Sequence, residues 1–518
     1  MPQERHFDYS DGIWRLTPSI DPKFPEKSVY DALNMVYSGD SNNLEGMYGS
    51  TQLGSALSSS SVNGLFDYNQ GTLIATSEDG KIYAYNAGTN AWSAESGARA
   101  SGNTTGSGKR WTATMFYGAT TLANLLIMCS DDDNDDPVKF NGSDATSLGG
   151  SPPGNGRFPT SWQGRLWMVD GHTLFWSAPN DCEDWTTASG GGSLAVSRGH
   201  DGEITGLAAF SNSLFIFKKG SIIRIGPLDV GSLGPNNLKN LNQVNGCVSH
   251  ASIQEGELGD SNVLIWQSEH GIEAIGPSDN SAGFAPIDIS RSVKPIFNAR
   301  NEAAMSTSFG IYNLNRKEYY AHFPTGNASI PSVALIGNCA RAGRPARWTQ
   351  MNRKNLTGGG IWRQNGSSYI QVVGDTTGNV YKMHDTDTVL WAESSIDRRF
   401  QSKFYVEGSP DKMKRYNWAF VSADRDLDNV EVKQIMLRQG LPTAKANTDS
   451  YVPAGSLGWG KGPWAVEPWG GLGLVGQKIR PTSSRRATGM QLIIEGQGWF
   501  RVKGITIEAK VLSSRIAA

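Results

Sequence analysis

A short apolar run, a Gly-centred turn and a second run carrying aromatic or β-branched residues recur about seven times along this chain. The clearest copy spans 71–85, where Asp79-Gly80 separates two alternating runs, a strong short-range hairpin signal. Looser copies span 165–176, 214–225, 263–275 and 370–381. One hairpin cannot bury its own apolar face, so a repeat of this size demands a modular β architecture. Units begin near Gly64, Trp111, Phe158, Ile204, Ser252, Met305 and Gly358. Their spacing is roughly 45–55 residues, close to that of a four-stranded propeller blade. The expected fold is all-β: a β-propeller of six to eight blades, seven by this count, over residues 63–390.

The flanks differ from the repeat. Residues 1–62 have little periodicity and read as an N-terminal arm over a partner or as the opening strand of a closed ring. Within them, Glu26 to Tyr37 predicts a short helix. Residues 391–518 hold alternating strands near Phe404, Arg415, Val430, Met490 and Ile505, which point to a β-sandwich-like domain. From it a Gly-, Trp- and Pro-rich loop projects over 451–476. Trp459, Trp464 and Trp469 are too many aromatics for a solvated loop, so they are the expected interface residues.

Composition narrows the function classes. Gly supplies 61 of 518 residues, about 12% against a usual ~7%, as many hairpin turns require. The net charge of −2 implies no global attraction to nucleic acid or anionic membrane. No stretch approaches the length of a membrane span, and the polar N-terminus has no apolar signal core. Cys129, Cys182, Cys247 and Cys339 lie far apart and suggest no disulfide framework.

Chemistry-bearing motifs are weak. Residues 455–461 imitate a phosphate-binding loop, but Gly462-Pro463 follows where Ser or Thr and a helix are needed. The acidic run Asp131 to Asp136 departs from an EF-hand loop, since Asp136 stands where Gly is needed and Gly142 where Glu is needed; it reads as a solvated turn, with weak divalent-ion binding as the alternative. Seven histidines (His6, His172, His200, His250, His270, His322, His384) show no metal-ligand spacing. The short basic clusters at Lys218-Lys219, Arg341 to Arg347, Arg398-Arg399, Lys412 to Arg415 and Arg480 to Arg486 read as solvated faces or intersubunit ion pairs. No catalytic, cofactor or metal residue is expected, and the chain reads as a scaffold rather than an enzyme.

Several phrases, taken in order, resemble bacteriophage tail-nozzle and packaged-DNA-stabilisation proteins. They are 46–54, 62–68 and 75–83; then 165–177 with Glu183-Asp184-Trp185; then 202–207, 214–218 and 246–249 leading into 264–272. The similarity spans roughly residues 10–510. It implies a virion tail protein of short-tailed phages, assembled in the host cytoplasm as a homohexameric ring below the portal–adaptor connector. Such a tube retains the packaged genome and conducts it at ejection, with transient non-specific DNA contact and with tail fibres or a needle as neighbours. No segment here matches a tip that would hold a needle or fibre. The competing expectation is a carbohydrate-binding or glycan-hydrolysing propeller. WD repeats fit poorly, since Gly199-His200 stands alone and Asp184-Trp185 has the reversed order.

Overall fold

The second strand of each repeat unit is apolar on both faces, and this decides the architecture. Leu125–Ser130, Ser213–Lys218 and Glu318–Phe323 are buried at every position. A strand covered on both sides belongs to a sheet packed between two other sheets. In the computed structural model, seven four-stranded antiparallel sheets meet this demand by stacking around a ring. The structure describes residues 3–21, 23–37, 41–95, 109–119, 124–131, 135–196, 202–227, 233–242, 245–277, 284–353, 355–366, 368–392, 394–406, 412–426, 430–438, 441–449, 475–479 and 486–512.

The chain is a seven-bladed β-propeller with an added β-sandwich. Blades 1 to 6 cover 62–94, 111–147, 157–195, 204–242, 254–288 and 309–351, and blade 7 begins at 356. Each inner strand starts within four residues of the position expected from the repeat. The hairpins read from sequence are the middle hairpins of blades 1, 3, 4, 5 and 7. In blade 1, Gly80 takes φ +79, the left-handed conformation that the turn after Asp79 requires. Cores form between blades: Leu214 and Ile216 pack toward blade 3, whereas Phe215 and Phe217 pack toward blade 5.

A strand from the N-terminal region closes the ring. Gly49–Gln52 is the outer strand of blade 7, with Gln52 opposite Tyr381 and Ser50 opposite Met383. Blades 7 and 1 also meet at their inner strands, where Thr357 Oγ1 donates to the Val62 carbonyl at 2.6 Å and Trp362 Nε1 to the Gly71 carbonyl at 2.8 Å. The segment expected as an arm therefore divides. Residues 49–52 complete the propeller, and residues 3–46 supply strands to the sandwich.

The sandwich draws on both ends of the chain. One sheet contains Gln3–Phe7, Met35–Tyr37, Leu44–Gly46, Lys414–Asp426, Val475–Ile479, Arg486–Ala487 and Trp499–Val511. The other contains Asp31–Leu33, Arg398–Gln401, Val430–Arg438, Leu441–Asp449 and Gly489–Gly496. This second sheet is continuous with blade 6, because Asp31–Leu33 pairs in parallel with its outer strand at Gln350 and antiparallel with Arg398–Gln401. Their apolar residues share one core: Ile265 of blade 5 and Tyr319 of blade 6 join Phe400, Leu492, Phe500 and Ile505.

The helix expected over Glu26 to Tyr37 is absent. The segment forms Ser28–Val29, Asp31–Leu33 and Met35–Tyr37 instead. Asn34, at φ +51, breaks the run so that its two halves enter different sheets. Tertiary pairing overrides the local signal here.

Candidate functional site at the ring axis

The inner strands surround a cleft of about 290 Å³ lined by residues of blades 1, 2, 6 and 7 and of the segment leading into blade 5. Arg110, just before the inner strand of blade 2, crosses it. Its guanidinium donates to the carbonyls of Thr357 and Thr307, and lies 4.8 Å from the centre of the Phe309 ring. One side chain thus ties blade 2 to blades 6 and 7 through the middle of the ring. Burial lowers the Arg110 pKa to about 10, which leaves it charged at neutral pH. Gly358 and Gly360 allow blade 7 to approach blade 1, and Gly359 allows it to approach blade 6; a Cβ at Gly360 would sit 2.6 Å from the Leu65 carbonyl oxygen, and one at Gly359 would collide with Ile311 Cδ1.

His250 and His322 flank this centre in neutral form. Burial lowers His250 to about 4; it stacks 4.8 Å from Phe158, and its Nδ1 accepts from the Leu207 N–H at 3.3 Å. Burial, then the charge of Arg110, lowers His322 to about 3, and its ring lies parallel to Phe309 at 4.3 Å. His384 lies elsewhere, its Nε2 2.6 Å from the Tyr320 hydroxyl between blades 6 and 7. Among the described residues, no three His, Cys, Asp or Glu side chains are grouped to hold a metal. In the acidic run, residues 132–134 lie outside the described residues. Burial raises Asp131 to about 6, against the pull of Arg157, Arg110 and Lys109. All four cysteines are buried free thiols.

The basic clusters need correction. Several members are internal, not solvated. Arg398 is fully buried and donates to the carbonyls of Met47, Ile396, Gln497 and Val389. Arg347 donates to Asn338 Oδ1 at 2.7 Å and to the Ser41 carbonyl at 2.8 Å, and lies 4.2 Å over the Tyr37 ring. Arg399 and Gln350 both reach the buried carboxylate of Asp31, with Arg15 at 3.4 Å. Lys414 is buried and donates to the Thr488 carbonyl at 3.0 Å. Lys219 keeps the expected exposed character, paired with Glu269 at 2.7 Å. Arg347, Arg398 and Arg399 mark the seam between propeller and sandwich, where chain segments far apart in sequence supply each other's polar partners.

Trp459, Trp464 and Trp469 lie outside the described residues, as does the phosphate-loop imitation at 455–461. The strands that flank them, Leu441–Asp449 and Val475–Ile479, are edge strands of the two sandwich sheets. Sequence reasoning missed Arg110 and Asn63. The only sequence signal was their place beside the inner-strand starts of blades 2 and 1.

No protein-family model matches the chain, and no curated protein matches it. Among solved structures the chain is similar to a streptogramin B lyase, at 12% identity and TM-score 0.42, covering 65% of this chain and 97% of that one. It is also similar to the WD40 repeats of RRP9, at 11% identity and TM-score 0.40, covering 66% and 99%. A third is YCF48 bound to D1 peptide, at 11% identity and TM-score 0.39, covering 68% and 100%.

Proposed function

We propose that this chain is a structural, non-enzymatic virion protein of a short-tailed bacteriophage. Copies form a ring of about six below the portal and adaptor, and the resulting nozzle retains packaged DNA and conducts it during ejection. The observation that carries this reading is the fixed order of the tail-protein phrases over roughly residues 10–510. The blocked axis supports it physically. Arg110 spans a cleft far too narrow for a duplex, so a conduit built from this protein runs between copies rather than through one. The ring, its closing strand and the sheet it shares with the sandwich make a stiff wall element. Trp459, Trp464 and Trp469 are then the anchors toward neighbouring copies or the adaptor, with tail fibres or a needle as further partners.

Mass photometry and negative-stain microscopy test this, with the chain alone and mixed with its portal–adaptor assembly. A closed ring or tube of about six copies, or matching density below the adaptor, is expected. A monomer that ignores the connector and binds glycans would replace this reading with a carbohydrate-binding propeller.

A further inference from the structure

Strand pairing in the first sandwich sheet brings two of the basic clusters together. Arg486 stands directly opposite Arg415, and Arg415 directly opposite Lys510, on three adjacent strands. All three are exposed, whereas Lys414 and Ala487, the pair one step along, are buried in the sandwich. The three cations therefore form one row across the face turned away from the core. Arg415 and Lys510 have no acidic partner among the described residues. Lys412, also exposed, lies at the same end of the sheet.

Like charges directly opposite one another destabilise a sheet, and an anion laid across them relieves the cost. Neighbouring strands lie about 4.8 Å apart, so the row holds three charges in roughly 10 Å. Each strand of duplex DNA carries one phosphate per about 3.4 Å of axis, a matching pitch. The next row along the face is acidic: Glu508 stands opposite Trp418 on one side and Glu4 on the other, and Asn417 donates to Glu508. The positive strip is thus one row wide. It suits a thin line of negative charge and not a broad anionic surface such as a membrane.

We propose that the Arg486–Arg415–Lys510 row is a contact strip for the phosphate backbone of duplex DNA. The choice of DNA among polyanions rests on the tail reading, and the strip then lies on the wall of the conduit between copies. Arg415 and Lys510 donate to phosphate oxygens and displace counterions, without reading bases. The chain's net charge of −2 adds no general attraction to this local one, so the contact is weak and lets the genome slide.

Fluorescence anisotropy of a labelled, mixed-sequence duplex tests this on the full chain, over salt from about 20 to 200 mM. Log affinity falls with log salt at a slope of about −0.9 per phosphate neutralised. Arg415→Gln and Lys510→Gln should each flatten that slope by about 0.9, and the double variant by about 1.8. Lys219→Gln, at an exposed lysine of blade 4, should leave it unchanged. Both test positions are exposed, and urea unfolding of each variant checks that the fold is kept. No duplex binding at the lowest salt, or an unchanged slope in the double variant, overturns the proposal. Tighter binding of polyglutamate than of duplex at equal charge also overturns it, and assigns the strip to carboxylates of a neighbouring copy. Mass photometry of the same samples separates this claim from the tail reading. Rings that form with the slope unchanged remove the strip alone. A slope change without rings keeps the strip and removes the conduit.

Discussion

Blade 4 and the seam between blade 6 and the sandwich are both buried, but by opposite means. In blade 4, Leu214, Phe215, Ile216 and Phe217 fill two interblade cores, and the blade's four strands lie within 204–242. At the seam, the buried carboxylate of Asp31 meets Gln350 and Arg399, 319 and 368 residues further along the chain. Apolar burial is non-directional and tolerates a local, repeated solution. Buried charge needs each partner in place, so the seam is set by chain segments that meet only in the finished fold. The difference predicts where a single substitution acts locally and where it reaches both halves of the molecule.

The largest effect is expected at the seam. Arg398→Met strips four carbonyls of their donor, and should cost about 4 kcal/mol in urea unfolding. It should also loosen blade 7 and the sandwich together, since its acceptors lie in both. A cost below about 1 kcal/mol would show that the seam is not the weld described. Ile216→Ala, in contrast, leaves a cavity between blades 3 and 4 and should cost about 3 kcal/mol. Its effect on hydrogen exchange should stay within those blades; exchange spreading into the sandwich would erase the contrast.

A third test uses pH at the ring centre. His322 titrates near 3 in the fold, below the ordinary histidine value of about 6.5. The unfolded chain takes the proton first, so stability is lost as pH falls below about 6.5 and continues falling toward 3. Between pH 7 and 5 this amounts to about 2 kcal/mol. His322→Phe keeps the stack on Phe309 and should remove that loss. The comparison must be of variant with parent. Glu273, raised to about 7 by burial and then by Asp288, gains stability as pH falls and so opposes His322 in the parent curve. Parallel pH profiles for the two proteins would contradict the assignment. The smallest effect belongs to the exposed pair Lys219–Glu269: Lys219→Ala should change stability by under about 0.5 kcal/mol, measured by the same unfolding curves.

How legible each region was follows from the same contrast. The blades announce themselves because six are runs of neighbouring strands with turns between them, and the seventh borrows only its outer strand from elsewhere. All seven inner strands fall where the repeat placed them. Residues 31–33 misled because their partners, Gln350 and Arg399, are remote, and no local pattern reports a strand that pairs across such separations. The basic clusters misled for the same reason. Arg347 and Arg398 look solvated until the carbonyls they satisfy are known. At the axis, Arg110 and Asn63 carry no motif, and only ring closure brings them to one cleft.

The most direct test of the account is a calorimetric scan of the intact chain beside its Arg398→Met variant. If propeller and sandwich are one unit welded by the shared sheet and its buried charges, the parent melts in a single transition, and the variant in a single transition at lower temperature. Two resolved transitions in the parent, with only one moved by the substitution, would mean that the halves are independent and that the seam does not join them.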